Sequence, residues 1–267
     1  MTTSTTTLFE TDWAAWHAAR ENQIRDPLGF LSVTGLHWLT DQPELLPDVP
    51  GTWWVTDDKV FITAQPADRL SYDGDRIAGV QIVVPVEGAP GLTVRHENRV
   101  LEVIRRTGRH AVRVHDPAAP GLREFTGIPA YAPDPRWVVR GRYLPFPEPR
   151  TVTTGAVVEG LEHHHTASGA IEFTVDGVTE RVVVFGPAED LRLLFTDATS
   201  GITTYPAARS LVVGVPDADG DVLLDFTRAA NLPCAFTDFA TCPLAPRENR
   251  LRVAIEAGEQ DPRGVRA

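Results

Sequence analysis

Hydrophobic and polar positions change their spacing once along this chain. Over the first segment, Trp13, Trp16, Arg20, Gln23 and Ile24 recur at helical spacing, which predicts an amphipathic helix. Thr11 or Asp12 is placed to cap it, and Asp26-Pro27 to end it, because the residue before proline is pushed out of the α region. The two tryptophans are expected to pin this helix onto a sheet edge, and the threonine-rich start before it to fray.

Beyond the helix the period becomes two. Thr52–Thr56 and Val60–Ala64 read as a hairpin around Asp57-Asp58-Lys59. Further strands are expected at Ile77–Val84, Leu92–His96, Val100–Arg105 and Ala111–His115. The clearest local signal is Ala170–Val175, Asp176-Gly177, Val178–Phe185, a hairpin closed by a two-residue turn that needs positive φ. Strands at Leu191–Phe195, Ser210–Val213, Val222–Phe226 and Leu251–Glu256 complete the set. The proline-rich segments Gly127–Trp137 and Pro145–Pro149 read as crossings, since proline cannot donate to a ladder. The expected fold is mainly β: a β-sandwich or partly open barrel of antiparallel sheets behind an N-terminal helix. It reads as one compact unit over 1–267, divisible into a helix and β meander (1–125) and a C-terminal β subdomain (150–267).

Composition supports a packed core and narrows the partners. Hydrophobic residues make up 42% and charged residues 23%, the globular range. The net charge of −11 repels phosphate backbones and anionic lipid, so neither nucleic acid nor a membrane is an expected partner. The start, Met1-Thr-Thr-Ser-Thr-Thr-Thr-Leu-Phe-Glu, lacks the basic and apolar regions of a secretory signal, and no stretch approaches the roughly 20 apolar residues of a spanning helix. A cytoplasmic protein is expected, with Cys234 and Cys242 as thiols rather than a disulfide.

Standard chemical motifs are missing: there is no G-x-S-x-G, P-loop, G-x-G-x-x-G, H-E-x-x-H or C-x-x-C. That removes α/β-hydrolases, P-loop enzymes, Rossmann dehydrogenases and zincins, and no cofactor is expected. The run His163-His164-His165 reads as a solvated loop leading into Thr166-Ala-Ser-Gly169. On a strand, its first and third imidazoles would share a face and invite a metal.

Polar residues cluster from Asp197 onward, and a connection of about twenty residues after Asp225 is long for a compact domain without a role. Prolines 233, 243 and 246 would hold it in one shape. The residues Asp225-Phe226, Arg228-Ala229, Asn231, Pro233–Thr237, Ala240–Leu244, Pro246 and Glu248-Asn249 resemble the C-terminal signature of the bacterial and archaeal family known as domain of unknown function 1684. Thr227, Ala230, Leu232 and Phe239 depart from it. Asp197, Thr199, Gly201, Thr204, Tyr205, Arg209 and Leu211 fit its upstream pattern, and Leu31–Leu39 and Gly127–Trp137 fit earlier parts. The resemblance spans nearly the whole chain and brings no activity with it.

Chemistry in this segment is therefore read from its residues. Arg209 and Arg228 on one pocket wall would grip a carboxylate or phosphate bidentately. Asp225 or Glu248 would serve as general base if burial raises its pKa, and Cys234 as a thiolate nucleophile near those cations. Asn231, Asn249, Tyr205 and Thr241 would orient the substrate. The expectation is an enzyme acting on a small anionic metabolite by hydrolase- or lyase-type acid–base chemistry. The rivals are a non-catalytic ligand-binding or protein-interaction module, and a metalloenzyme built on His163–His165. Against each site residue stands a packing role: Arg228–Asp225 as an ion pair, the cysteines as core groups, and Asn249 as a partner for backbone.

Overall fold

The computed structural model describes residues 2–264, with side chains from Leu8 onward. The fold divides into two units. One comprises Gln23–Phe125 with Thr237–Ala240. The other takes residues up to Asn22, Thr126–Phe236 and the chain from Thr241 on. All strand ladders are antiparallel, and none closes into a barrel.

The Gln23–Phe125 unit holds two sheets. Strands β1 (Val33–Trp38), β2 (Glu44–Leu46), β3 (Val49–Thr56), β4 (Lys59–Ala64), β5 (Leu70–Tyr72), β6 (Asp75–Arg76), β7 (Gly79–Val83), β8 (Leu92–His96), β9 (Arg99–Arg106) and β10 (Arg109–His115) follow in order. They form a six-stranded sheet, β1-β10-β9-β8-β5-β6, and a four-stranded one, β2-β3-β4-β7. Trp53, Val60 and Ile62 from the smaller sheet share one core with Leu101, Val103 and Val112 from the larger. Each side chain of that size contributes roughly 1.5–3 kcal/mol when buried. The β3–β4 hairpin turns at Asp57 and Asp58, both with positive φ, where short polar side chains tolerate the left-handed region.

The other unit opens with helix α1 (Thr2–Ile24), which begins well before Thr11. Asp12 does not cap it; its carboxylate accepts from Arg228 instead. Nor do tryptophans fix it to a sheet edge. The helix is tied to loop backbone by polar atoms: Trp13 Nε1 donates to Thr227 O (2.8 Å), His17 Nε2 to Ile128 O (3.1 Å) and Arg20 to Asn231 O (2.8 Å), while Glu21 accepts from Ile128 N (2.9 Å).

Strands β11 (Val138–Gly155), β12 (Glu162–Val175), β13 (Val178–Phe185), β14 (Arg192–Phe195), β15 (Arg209–Val212), β16 (Asp221–Asp225) and β17 (Ala230–Asn231) build a seven-stranded sheet, β16-β11-β12-β13-β14-β15-β17. Pro145–Pro149 lies inside β11 rather than in a crossing. The β11–β12 ladder breaks between Pro145 and Arg150, so Pro147 and Pro149 fall where no donor is required. The β12–β13 turn has φ of 48° at Asp176 and 76° at Gly177, as its sequence requires. Alternation on β13 sends Val182 and Val184 into a core with Phe195, Phe226 and Leu251, and Val183 and Phe185 into a smaller cluster with Val152 and Leu194.

Leu251–Glu256 is not a strand. Leu251, Val253, Ile255 and Ala257 are buried alternately, so the expected pattern is present, but no β-ladder forms along the segment. Leu251 N donates to Thr196 O and Ala198 N to Val253 O. Farther on, the carbonyls of Ile255 and Ala257 accept from the Arg209 guanidinium, which stands where a neighbouring strand would be. Gly258 (φ +75°) makes the close approach possible, since a Cβ there would lie 2.5 Å from Ala229 O. No described helix is long and apolar enough to cross a membrane.

Candidate functional site

The expected single pocket around Arg209 and Arg228 is not formed. Arg209 is 1% exposed. Its Nη2 donates to Asp197 Oδ2 (2.6 Å) and Ile255 O (3.0 Å), and its Nη1 donates to Ala257 O. Burial pushes its pKa down, against the raising effect of Asp197. Its terminal nitrogens are spent on closing the tail, and its Nε, though without a hydrogen-bond partner, is sealed from any ligand. Arg228 lies at the surface between Asp12 and Asp225 (Nε–Oδ2 3.1 Å). Two acids neutralise it. Asp225 caps its own turn by accepting from Thr227 N and Oγ1, which leaves it no freedom as a base.

The remaining candidates disperse into local networks. Asn231 is buried; its N–H donates to Glu259 Oε2 (2.6 Å) and its Nδ2 to Gln260 O (2.8 Å). Glu259, wholly buried, also accepts from Arg20 (3.0 Å), and burial raises its pKa despite that partner. Asn249 is sealed between two strands: Oδ1 accepts from Val183 N (2.7 Å), and Nδ2 donates to the carbonyls of Val183 and Leu194 (2.8 Å each). Asn249 thus stitches β13 to β14 and does not orient a substrate. Thr241 is buried, and its carbonyl accepts from His163 Nε2 (2.6 Å). Glu248 is half exposed and faces Arg150 at 3.6 Å.

The histidine run lies in β12, not in a loop. His163 and His165 share a face with rings stacked at 6.0 Å, and His164 turns the other way to meet Thr153. His165 shares a hydrogen bond with Thr154 (3.2 Å), and burial lowers its pKa. Among the described residues no group of three or more His, Cys, Asp or Glu is gathered around a metal-sized space.

One open cleft does occur in the signature loop, and its cations are not the ones that spacing along the chain singles out. Pro246 starts a 3₁₀ turn over Arg247–Asn249. With three residues per turn, positions i and i+3 eclipse, so Arg247 and Arg250 come to the same side while Asn249 points into the core. Together with Thr196, Pro206, Ala207, Leu244, Ala245 and Pro246 they line a cleft of about 570 Å³. Backbone bonds fix its walls: Thr196 N to Asn249 O (3.1 Å), Leu244 N to Gly155 O (2.9 Å) and Ala245 N to Ala207 O (3.4 Å). Neither guanidinium has a hydrogen-bond or ion-pair partner among the described residues. The intervening Glu248 turns to Arg150 instead, so both arginines stand exposed and unneutralised at the cleft. The signal in the sequence is the i, i+3 arginine spacing directly after a proline.

The Gln23–Phe125 unit carries a second polar cluster that periodicity does not disclose. Glu102 on β9 accepts from Arg113 Nη1 (2.5 Å) and His115 Nε2 (3.3 Å), both on β10. His115 Nδ1 faces Ser32 Oγ (3.0 Å) and Gly29 O (3.2 Å). Burial would raise Glu102, but the His115 and Arg113 contacts outweigh it and hold the carboxyl at about 2. The cluster borders a cavity of about 330 Å³ with Leu28, Phe30 and Arg95.

Comparison with known proteins places the C-terminal signature in context. The model of the family described as "Protein of unknown function (DUF1684)" matches residues 123–260. The chain belongs to this family. No curated protein matches it. A solution NMR structure of an uncharacterized protein from Haloarcula marismortui is 27% identical, over 54% of this chain and 82% of that one, with a TM-score of 0.44. The family match takes in the Arg247–Arg250 cleft, and the Glu102 cluster lies outside it.

Proposed function

We propose that this member of the family binds a small anionic metabolite, bearing phosphate or carboxylate groups, in the cleft of its signature loop. The observation that carries this reading is the pair Arg247 and Arg250, unneutralised and on one side of a braced cleft. A volume of about 570 Å³ suits a metabolite rather than a polymer. Guanidinium forks match the oxygen geometry of phosphate and carboxylate, and Pro206, Leu244 and Pro246 offer an apolar surface for the rest of the molecule.

Binding is favoured over hydrolase or lyase chemistry, because the described lining supplies cations and apolar surface and no acid, histidine or thiol. Acid–base chemistry would need Glu248 to leave Arg150 and turn into the cleft. Calorimetric titration with inorganic pyrophosphate and with a dicarboxylate at low salt tests the reading. Loss of one charge-assisted contact lowers affinity by roughly tenfold or more, so Arg247→Ala and Arg250→Ala should each do so and the double variant should abolish binding. Binding that survives the double variant refutes the cleft. Glu248→Gln should leave binding intact; turnover of a bound compound that Glu248→Gln eliminates would restore the enzyme reading.

A further inference from the structure

The chain has two cysteines in 267 residues, and the fold brings them together. Cys234 stands in the 3₁₀ turn Pro233–Ala235, and Cys242 is fixed by the adjacent backbone, where Val157 N donates to Cys242 O (3.0 Å). The amide of Cys234 donates to Cys242 Sγ at 3.3 Å. Two further groups attend the pair. The Tyr205 hydroxyl meets the Cys234 thiol, and the Arg263 guanidinium holds the turn by donating to Ala235 O (2.8 Å) and Cys234 O (3.0 Å). Both thiols are buried, and Tyr205 and Arg263 are the partly exposed members of the cluster.

An N–H donor on one sulfur, a hydroxyl on the other and a nearby guanidinium form the environment that stabilises a thiolate. The Cys242 contact, with Tyr205 and Arg263 behind it, brings the Cys234 thiol below its ordinary value although burial opposes this. Burial, and then the neighbouring Cys234, pushes the Tyr205 phenol up, so it remains a donor at neutral pH. Inert core cysteines pack singly against hydrocarbon; this pair faces polar groups instead.

We propose that Cys234 and Cys242 are a redox-active dithiol that a hydroperoxide converts to an intramolecular disulfide. The Cys234 thiolate sulfur attacks the outer peroxide oxygen, the O–O bond breaks, and the departing alkoxide or hydroxide takes a proton to become alcohol or water. Cys234 is then a sulfenic acid. The Cys242 sulfur attacks it, the S–O bond breaks, and hydroxide leaves as water with the Cys242 proton. Two thiols have lost two electrons and two protons, and the peroxide has gained them. The pair is separate from the arginine cleft and does not depend on the ligand proposed there.

The test treats the folded protein with a small excess of hydrogen peroxide, quenches in acid, unfolds it, alkylates free thiols and measures intact mass and peptides. The wild type should lose both alkylatable thiols and yield one monomeric species with Cys234 joined to Cys242. Cys242→Ser should stop at a sulfenic acid that dimedone traps on residue 234. Cys234→Ser should react at least about tenfold more slowly, since the sulfur that attacks the peroxide is then gone. Retention of two alkylatable thiols in the wild type, or bridging only between chains, overturns the proposal. Far-ultraviolet dichroism of both serine variants separates lost reactivity from lost folding, and the wild-type result decides the proposal without them.

Discussion

Arg209 offers the sharpest test of how this fold closes. Substitution by methionine keeps much of the side-chain volume but deletes the guanidinium, and with it the cation–π contact on Phe195. Asp197 would then be a buried carboxylate without a cation, a situation that costs about 3–5 kcal/mol. The carbonyls of Ile255 and Ala257 would lose donors, at about 1–3 kcal/mol each where water cannot reach them. A total of at least about 5 kcal/mol is a large share of the roughly 5–15 kcal/mol that holds a domain together. Urea unfolding followed by tryptophan fluorescence should show the midpoint falling by about 2.5 M or more, for a slope of about 2 kcal/mol per molar. Adding Asp197→Asn to Arg209→Met should recover part of the loss, because no charge is then buried alone, while the amide oxygen of the new side chain could still accept from Thr199. An Arg209→Met protein within about 1 kcal/mol of wild type would refute the structural role and reopen Arg209 as a ligand-binding residue.

Two further outcomes follow from buried polar groups. Asn249→Ala strands Val183 N and two carbonyls, and thermal unfolding should report a loss of more than about 3 kcal/mol; an unchanged melting temperature would show that Asn249 does not join β13 to β14. Glu102 has a folded pKa below its unfolded value, so its contribution is complete above 4.5 and disappears as pH falls from there toward about 2. That gap is worth about 3 kcal/mol, so the stability difference between wild type and Glu102→Gln should shrink on going from pH 6 to pH 3; a pH-independent difference would count against the Arg113–Glu102–His115 cluster.

Local chemistry explains how much of this is legible in advance. The Asp176-Gly177 hairpin, the Leu92–His96 strand and the helix stop at Asp26-Pro27 rest on neighbouring residues alone, and each can be read from them. His163–His165 reads as a loop because histidine and threonine suit exposed strands and loops alike; the pairing with β11 decides between them, and it lies about ten residues away. The expected site fails for a related reason. Spacing along the chain places Arg209 and Arg228 in one neighbourhood, but partners distant in sequence claim both: Asp197 and the tail carbonyls for one, Asp12 for the other. Arg247 and Arg250 are usable for the opposite reason, since no distant acid reaches them. Positive charges can be counted in the sequence, but not which cations are left over after pairing.

Between Val253 and Gly258 the tail is fastened by a cation inside the protein rather than by a β-ladder. Mobile ions weaken charge pairs that water surrounds and have little access to one sealed from it. The Arg228–Asp12 contact, part of which is open to solvent, is therefore a clasp that ionic strength loosens. The Arg209 fastening is indifferent to brine. For this chain, the last segment of the hydrophobic core stays shut across salt concentrations at which its outer charge pairs have ceased to matter.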